Sequence, residues 1–131
     1  MDAETPLGHV RIVNTHLGLG WRERLQQARL LVSAEWLGGS LPDIPLILIG
    51  DLNSLPGSRP YRAVSQHLRD VRNLVLPVQA CRTFPTFFPL LAVDHIFINA
   101  GLHPLSVNVH RSPLSRVASD HFPLIAELVR V

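Results

Sequence analysis

Four short polar clusters in this chain carry the residue types that acid–base and phosphoryl chemistry use: Asn14-Thr15-His16, Asp51-Leu52-Asn53, Asp94-His95 and Ser119-Asp120-His121. Together they supply carboxylates, imidazoles and a carboxamide, and no serine or cysteine sits in a setting that would activate it as a nucleophile. Carboxylate oxygens suit a hard divalent cation such as Mg²⁺, which keeps several waters and takes only one or two protein carboxylates. Histidine and asparagine donors suit a phosphoryl oxygen, and a carboxylate beside a water can orient or deprotonate it for in-line attack. That is the equipment of metal-assisted phosphoester hydrolysis. Each cluster also has a plainer reading: Asp-x-Asn after a strand forms a side-chain-to-backbone turn, Asp120-His121 could be a cap and a satisfied core histidine, and Asn14 and Thr15 suit backbone bonding at a strand end.

The elements around the clusters explain how they could meet. Residues 8–17, "GHVRIVNTHL", are rich in β-branched side chains and predict a strand that leaves the core at the first cluster. Trp21, Leu25, Ala28, Val32 and Trp36 recur at helical spacing, predicting a helix with one buried face, stopped by Gly38-Gly39 and followed by a short connection between Pro42 and Pro45. "LILIG" is apolar on both faces, as a central strand covered on both sides would be, and Asp51 follows it directly. Ser58 as N-cap and Pro60 in the first turn predict a helix to about Leu68. From 70 to 92, Pro77, Pro85 and Pro89 argue for an ordered loop, and "AVDHIFIN", "PLSVNVH" and "PLIAELVRV" predict three closing strands. Each polar cluster thus lies at the end or start of a strand, the edge where sites form in α/β sheets.

Composition bounds the rest. A chain of 131 residues, 47% hydrophobic and 17% charged, can bury the core of one domain. It has no run of roughly 20 apolar residues for a membrane span, and its acidic first residues lack the positive charge that opens a signal peptide; a cytoplasmic protein is expected. The single Cys81 excludes an internal disulfide and reads as a packing residue. The net charge is +2 and every one of the 12 basic residues is arginine, a side chain whose planar fork matches phosphate. A solvated surface is the simpler reading for most of them, and nucleic-acid binding driven by arginine alone would show a steep salt dependence.

In order along the chain, "VNTHLG", "ILIGDLNSLPGSRPY", "TFP" followed by "VDHIFI", and "SRVASDHFPLIAEL" resemble the second half of the endonuclease/exonuclease/phosphatase superfamily. These are metal-dependent hydrolases that include DNase I-like nucleases, abasic-site endonucleases, sphingomyelinases and inositol-polyphosphate phosphatases. The resemblance implies an α/β (α+β) fold, half of a four-layer α/β sandwich of the DNase I-like type, with one mixed sheet and helices on its outer face, so that residues 1–131 form a single partial domain. It implies that His16 contacts the scissile phosphate, Asp51 orients or deprotonates the attacking water, Asn53 holds a phosphate oxygen, and Asp120 sits at or near the metal, Mg²⁺ (or Mn²⁺). It further implies that His121 acts on the phosphate side, either as a general acid or base or as a transition-state stabiliser, with Asp94 fixing its orientation. Arg82 and Arg116 flank the motif loops and would meet a phosphate-rich substrate: nucleic acid, phospholipid or a small phosphorylated molecule.

The family's domain is about twice this length, and its first half carries an asparagine and the glutamate that is the principal metal ligand. Glu4, Glu23, Glu35 and Glu127 lie in no motif resembling that ligand's strand. The chain therefore reads as a C-terminal portion whose inner sheet face is apolar and bare unless covered by a missing N-terminal half or by self-association. Two functions follow: a phosphoesterase completed by residues elsewhere, or a catalytically incomplete binding or assembly module. His95 is expected to be structural. Phe84, Phe87 and Phe88 of the loop could stack on a base, meet a lipid or pack beneath it.

Overall fold

The computed structural model describes residues 1–38, 44–75 and 80–131. The expectations placed on Gly39, Pro42 and Pro77 fall outside the described residues. Strands β1 (Asp2–Thr5), β2 (Gly8–His16), β3 (Leu46–Asp51), β4 (Arg69–Asp70) and β5 (Asp94–Ile98) form one mixed sheet in the order β1-β2-β3-β5-β4. The parallel pair is β2–β3, joined through helix α1 (Trp21–Leu31), since parallel neighbours need a crossover long enough to return the chain to the same edge. The other neighbours are antiparallel. Helix α2 (Arg59–Ser65) lies between β3 and β4 in the chain.

The alternation of β3 builds both cores, because successive side chains of a strand point to opposite faces. Leu46 and Leu48 join Ala28, Leu31, Val64 and Phe97 beneath the two helices. Ile47 and Ile49 join Ile96, Ile98, Val107 and Leu124 on the other face. Strands β6 (Leu102–Val109) and β7 (Leu124–Arg130) pair with each other in a separate two-stranded sheet and cover part of that second face. The layers are therefore helices, mixed sheet and hairpin. An open, mainly apolar groove of about 660 Å³ remains between sheet and hairpin, lined by Ile12, Ile47, Ile49, Ile96, Leu124 and Leu128 among others, and it reaches Asp94 and His121.

Several boundaries differ from the sequence expectation. Helix α1 ends at Leu31, and Ala34–Gly38 form a separate π-helical turn, so Trp36 does not continue the helical stripe. Trp21 and Trp36 are 56% and 60% exposed, and the buried positions are Ala28, Leu31, Val32 and Leu37. Trp21 instead carries the Arg22 guanidinium over its ring at 5.2 Å. Helix α2 is shorter than expected, closing at Ser65. The region after it contributes the edge strand β4 and a 3₁₀ turn at Val71–Asn73 before the loop begins. Helix α3 (Pro113–Ala118) interrupts the β6–β7 connection, and its capping box, in which Ser112 Oγ accepts from the Ser115 amide and Ser115 Oγ from the Ser112 amide, explains its start. Cys81 is buried and free, and burial pushes its thiol up, as fits a packing residue.

Candidate active site

Strand register assembles the centre. In the β2–β3 pair His16 lies opposite Asp51, and in the β3–β5 pair Asp51 lies opposite Asp94. A histidine and two carboxylates thus stand in one row across the sheet edge. The row depends on close approach at Gly50, where φ is +143° and a Cβ would fall 1.7 Å from the Thr15 carbonyl oxygen. Only glycine fits there.

Asp51 serves two purposes with its two oxygens. Its Oδ1 accepts from the Asn53 amide at 2.7 Å, closing an Asx turn, and Asn53 takes the left-handed conformation, φ 47°, that asparagine tolerates. The turn reading and the site reading of Asp-x-Asn therefore coexist. Asp51 Oδ2 faces two imidazoles, 3.6 Å from His16 Nε2 and 3.8 Å from His121 Nε2. The Asn53 side-chain nitrogen donates to the Leu17 carbonyl at 2.7 Å and lies 3.1 Å from His16 Nε2. The Leu17 carbonyl fixes which end of the amide points that way, since it can only accept.

His121 reaches the row from a different segment. The chain before β7 is tied to the loop after Cys81: Thr86 N donates to the Asp120 carbonyl and Phe122 N to the Thr83 carbonyl, both at 2.9 Å. Phe84 packs on the imidazole with ring centroids 4.6 Å apart, so of the open alternatives this ring takes packing within the protein, while Phe87 and Phe88 are exposed. His121 Nδ1 lies 2.8 Å from Asp94 Oδ2, which also accepts from Thr83 Oγ1 at 2.5 Å. Burial alone would lower the His121 pKa, but the Asp94 hydrogen bond and the charges of Asp94, Asp51 and Asp120 outweigh it and hold it above its ordinary value.

A second Asp–His pair lies directly behind this one. His95 is 1% exposed; its Nε2 donates to the Ser54 carbonyl at 2.7 Å and its Nδ1 accepts from Arg72 Nη2. Asp70 accepts from Arg72 Nε at 3.0 Å, the Arg72 amide at 2.9 Å and the Tyr61 hydroxyl at 3.0 Å. Burial alone would raise the Asp70 carboxyl; the hydrogen bonds and charge of Arg72 hold it well below the usual carboxylate range. His95 is structural, as expected, and its bond to Ser54 ties the far end of the Asp51–Asn53 turn to the protein interior.

Of the sequence-derived candidates, the structure gathers His16, Asp51, Asn53, Asp94 and His121. Among the described residues, Asp51, Asp94 and His121 form the group whose metal-ligating atoms all lie within 4.8 Å of one another. Two carboxylates and an imidazole suit a divalent cation, and the donor set fits one. Asp120 is exposed and lies outside that group, as do Glu4, Glu23, Glu35 and Glu127. Arg82 lines a separate cavity with Arg111, and Arg116 is exposed on α3. Sequence reasoning missed Thr83, and the Asp70–Arg72 support beneath the turn. Thr83 lies in the quoted "TFP" motif, the one signal that could have drawn attention to it.

A row of metal-competent acids and histidines at the edge of a mixed sheet, in this order along the chain, defines a class: residues 2–121 match the endonuclease/exonuclease/phosphatase family, and the chain belongs to it. Among known sequences it is similar to the uncharacterized protein YbhP of Escherichia coli K12, with 34% identity over 127 residues covering 91% of this chain and 46% of that protein. Among solved structures it is similar to a conserved protein of unknown function from Enterococcus faecalis V583, with TM-score 0.76, 26% identity, 92% of this chain and 50% of the other. It is also similar to a mannosyl-6-phosphatase from Bacteroides thetaiotaomicron, with TM-score 0.69, 28% identity, 90% of this chain and 50% of the other. The chain therefore spans about half the length of the relatives it matches. No helix of the described residues is long and apolar enough to cross a membrane.

Proposed function

We propose that this chain supplies the C-terminal part of a divalent-metal-dependent phosphoester hydrolase, acting in the cytoplasm, that uses in-line attack of an activated water. The observation that carries the reading is the convergence of Asp51 Oδ2 with both His16 and His121 Nε2, at 3.6 and 3.8 Å. Asp51, with one oxygen held by the turn, keeps the other to orient or deprotonate water. His121, held by Asp94 and kept readily protonated, offers Nε2 to a phosphoryl oxygen or leaving group. Asn53 and His16 bind the phosphate from the opposite side of Asp51. Mg²⁺ or Mn²⁺ would be held by the Asp51 and Asp94 carboxylates with Asp120 nearby, leaving His121 Nε2 for the phosphate, and when bound would supply charge neutralisation at the phosphoryl oxygens. Arg82 and Arg116 are proposed to steer an anionic substrate. Likeness to a mannosyl-6-phosphatase brings phosphomonoesters into consideration beside nucleic acid and phospholipid diesters.

The test is Mg²⁺- or Mn²⁺-dependent hydrolysis of a generic phosphodiester and a generic phosphomonoester by this chain, with His121→Ala as control. Turnover abolished in the variant supports the reading, and turnover unchanged in it defeats the assignment. Absence of turnover in both favours a second reading, a binding or assembly module, for which the open apolar groove beside β3 and β7 is the specific support. In that reading the groove receives the rest of the domain or a second copy, and the molar mass in solution distinguishes the two.

A further inference from the structure

The outer helical layer carries a second cluster of cations that the catalytic row does not use. A cavity of about 560 Å³ between α1 and α2 is lined by Arg29, Arg59, Arg62, His67, Gln66 and Ser33 together with small and aliphatic side chains, and no acidic residue among the described residues lines it. Elsewhere most arginines have partners: Arg11 bonds Asp2, Arg24 the Leu19 carbonyl, Arg69 the Asn99 and Leu102 carbonyls, Arg72 Asp70, and Arg130 the Leu7 carbonyl. Among the described residues Arg29, Arg59, Arg62 and His67 have none. The Ser33 hydroxyl is buried at the same cavity without a hydrogen-bond partner, and a buried hydroxyl without a partner is costly. Three exposed guanidiniums line one concavity, where a bound anion would meet all three positive charges.

We propose that the α1–α2 groove is a binding site for a small phosphate-bearing ligand with more than one negative charge. Arginine forks donate paired hydrogen bonds to phosphate oxygens, the exposed Gln66 amide supplies a neutral donor, and the volume is in the range of small-molecule sites. These cations line one cavity, apart from the one that Arg82 and Arg111 line, in a chain of net charge +2, which suits a small anion better than a long polyanion. The layer lies on the sheet face opposite the hairpin and the groove that the rest of the domain would fill, because α1 and α2 share their core with Leu46 and Leu48, and the hairpin with Ile47 and Ile49. The site is therefore independent of the phosphoesterase reading.

The probe is pyrophosphate, titrated into the 131-residue chain in metal-free buffer with chelator at about 0.15 M salt, where exposed unspecific contacts are screened, and followed by amide chemical shifts and calorimetry. Saturable binding is expected, with shifts along 25–34 and 59–67 and none at Asp51 or His121. Arg59→Ala and Arg62→Ala, both exposed and safe for the fold, should each weaken it roughly ten-fold, as loss of a charge-assisted hydrogen bond does, while Arg22→Ala, on the same helix but away from the cavity, leaves it unchanged. No saturable binding, shifts only at the catalytic edge, or equal weakening in Arg22→Ala would overturn the proposal. So would a single-stranded oligonucleotide that competes at lower concentration than pyrophosphate.

Discussion

Two Asp–His pairs sit on consecutive residues of β5 and do opposite things. Asp94 pairs with His121 at the sheet edge, where both side chains are partly exposed, 22% and 25%. The His121 Nε2 is left pointing toward Asp51. His95 pairs with the Asp70–Arg72 unit in the interior, where both ring nitrogens already have partners. The ingredients are the same, and what separates a reactive pair from a structural one is whether a nitrogen remains for a ligand. The strand period enforces the difference: neighbouring residues point to opposite faces, so Asp94 and His95 cannot share an environment.

The comparison breaks first at Asp51. Asp51→Ala removes the acceptor that faces both imidazoles and should lower any metal-dependent turnover by about 10² to 10⁴, the usual range for a lost general base, while the folded structure persists. In the interior the order of damage reverses. Asp70→Ala leaves the Arg72 charge buried without its partner and should cost about 3–5 kcal/mol of stability, measured by chemical denaturation, without removing any group from the catalytic row. The pH dependence has a definite sign. The Asp70 carboxyl is lowered in the folded state, so its contribution is present above the unfolded value of about 3.9 and is lost as pH falls toward the lower folded value. Wild type should therefore lose stability on acidification below about pH 4 more steeply than Asp70→Asn, and equal slopes would mean the buried charges are not arranged as described.

A milder change tests how the two pairs communicate. His95→Phe keeps a ring against Tyr61 and Phe97, whose centroids lie 5.2 and 5.6 Å from the imidazole, but removes the donor to the Ser54 carbonyl. The expected cost is about 1–3 kcal/mol for an unsatisfied buried group, with displaced NMR signals for the Asn53 side-chain amide. His95→Gln, which can still donate, should restore those signals; a stability loss with the Asn53 signals unmoved would show that the interior pair does not hold the turn.

The polar row was legible in the sequence because strand ends are marked by abrupt changes: "LILIG" stops and Asp51 begins, and "VNTH" does the same at His16. The antiparallel return of β5 that places Asp94 opposite Asp51 needs the register, which composition does not encode. The tryptophan spacing misled because a period of three and four continues numerically past the residue where the helix ends; Trp36 fits the count and belongs to another turn. Asp70 and Arg72 gave no signal in the sequence, since the partner that makes them a buried unit, His95, is remote in the chain. β1 and α3 were too short for periodicity to register, although Ser112-Pro113 carried the signature of a helix start.

The finest test concerns the proton on His121 itself. Burial lowers its pKa, while the hydrogen bond to Asp94 and the charges of Asp94, Asp51 and Asp120 raise it, and the raising contributions win. In the metal-free chain its ring signals should therefore titrate above the ordinary value of about 6.5. A histidine whose folded value is raised stabilises the fold fully below the unfolded value, and that share of stability fades as pH rises through the folded value. In Asp94→Asn the strongest favourable partner is gone but the burial remains, so the midpoint should drop, and the pH-dependent share of stability with it. The corresponding change in the interior pair, Asp70→Asn, leaves the surroundings of His121 untouched and should leave its midpoint where it was. If instead both substitutions shift His121 alike, the two pairs are one coupled network, and the separation of a reactive edge from a structural interior fails.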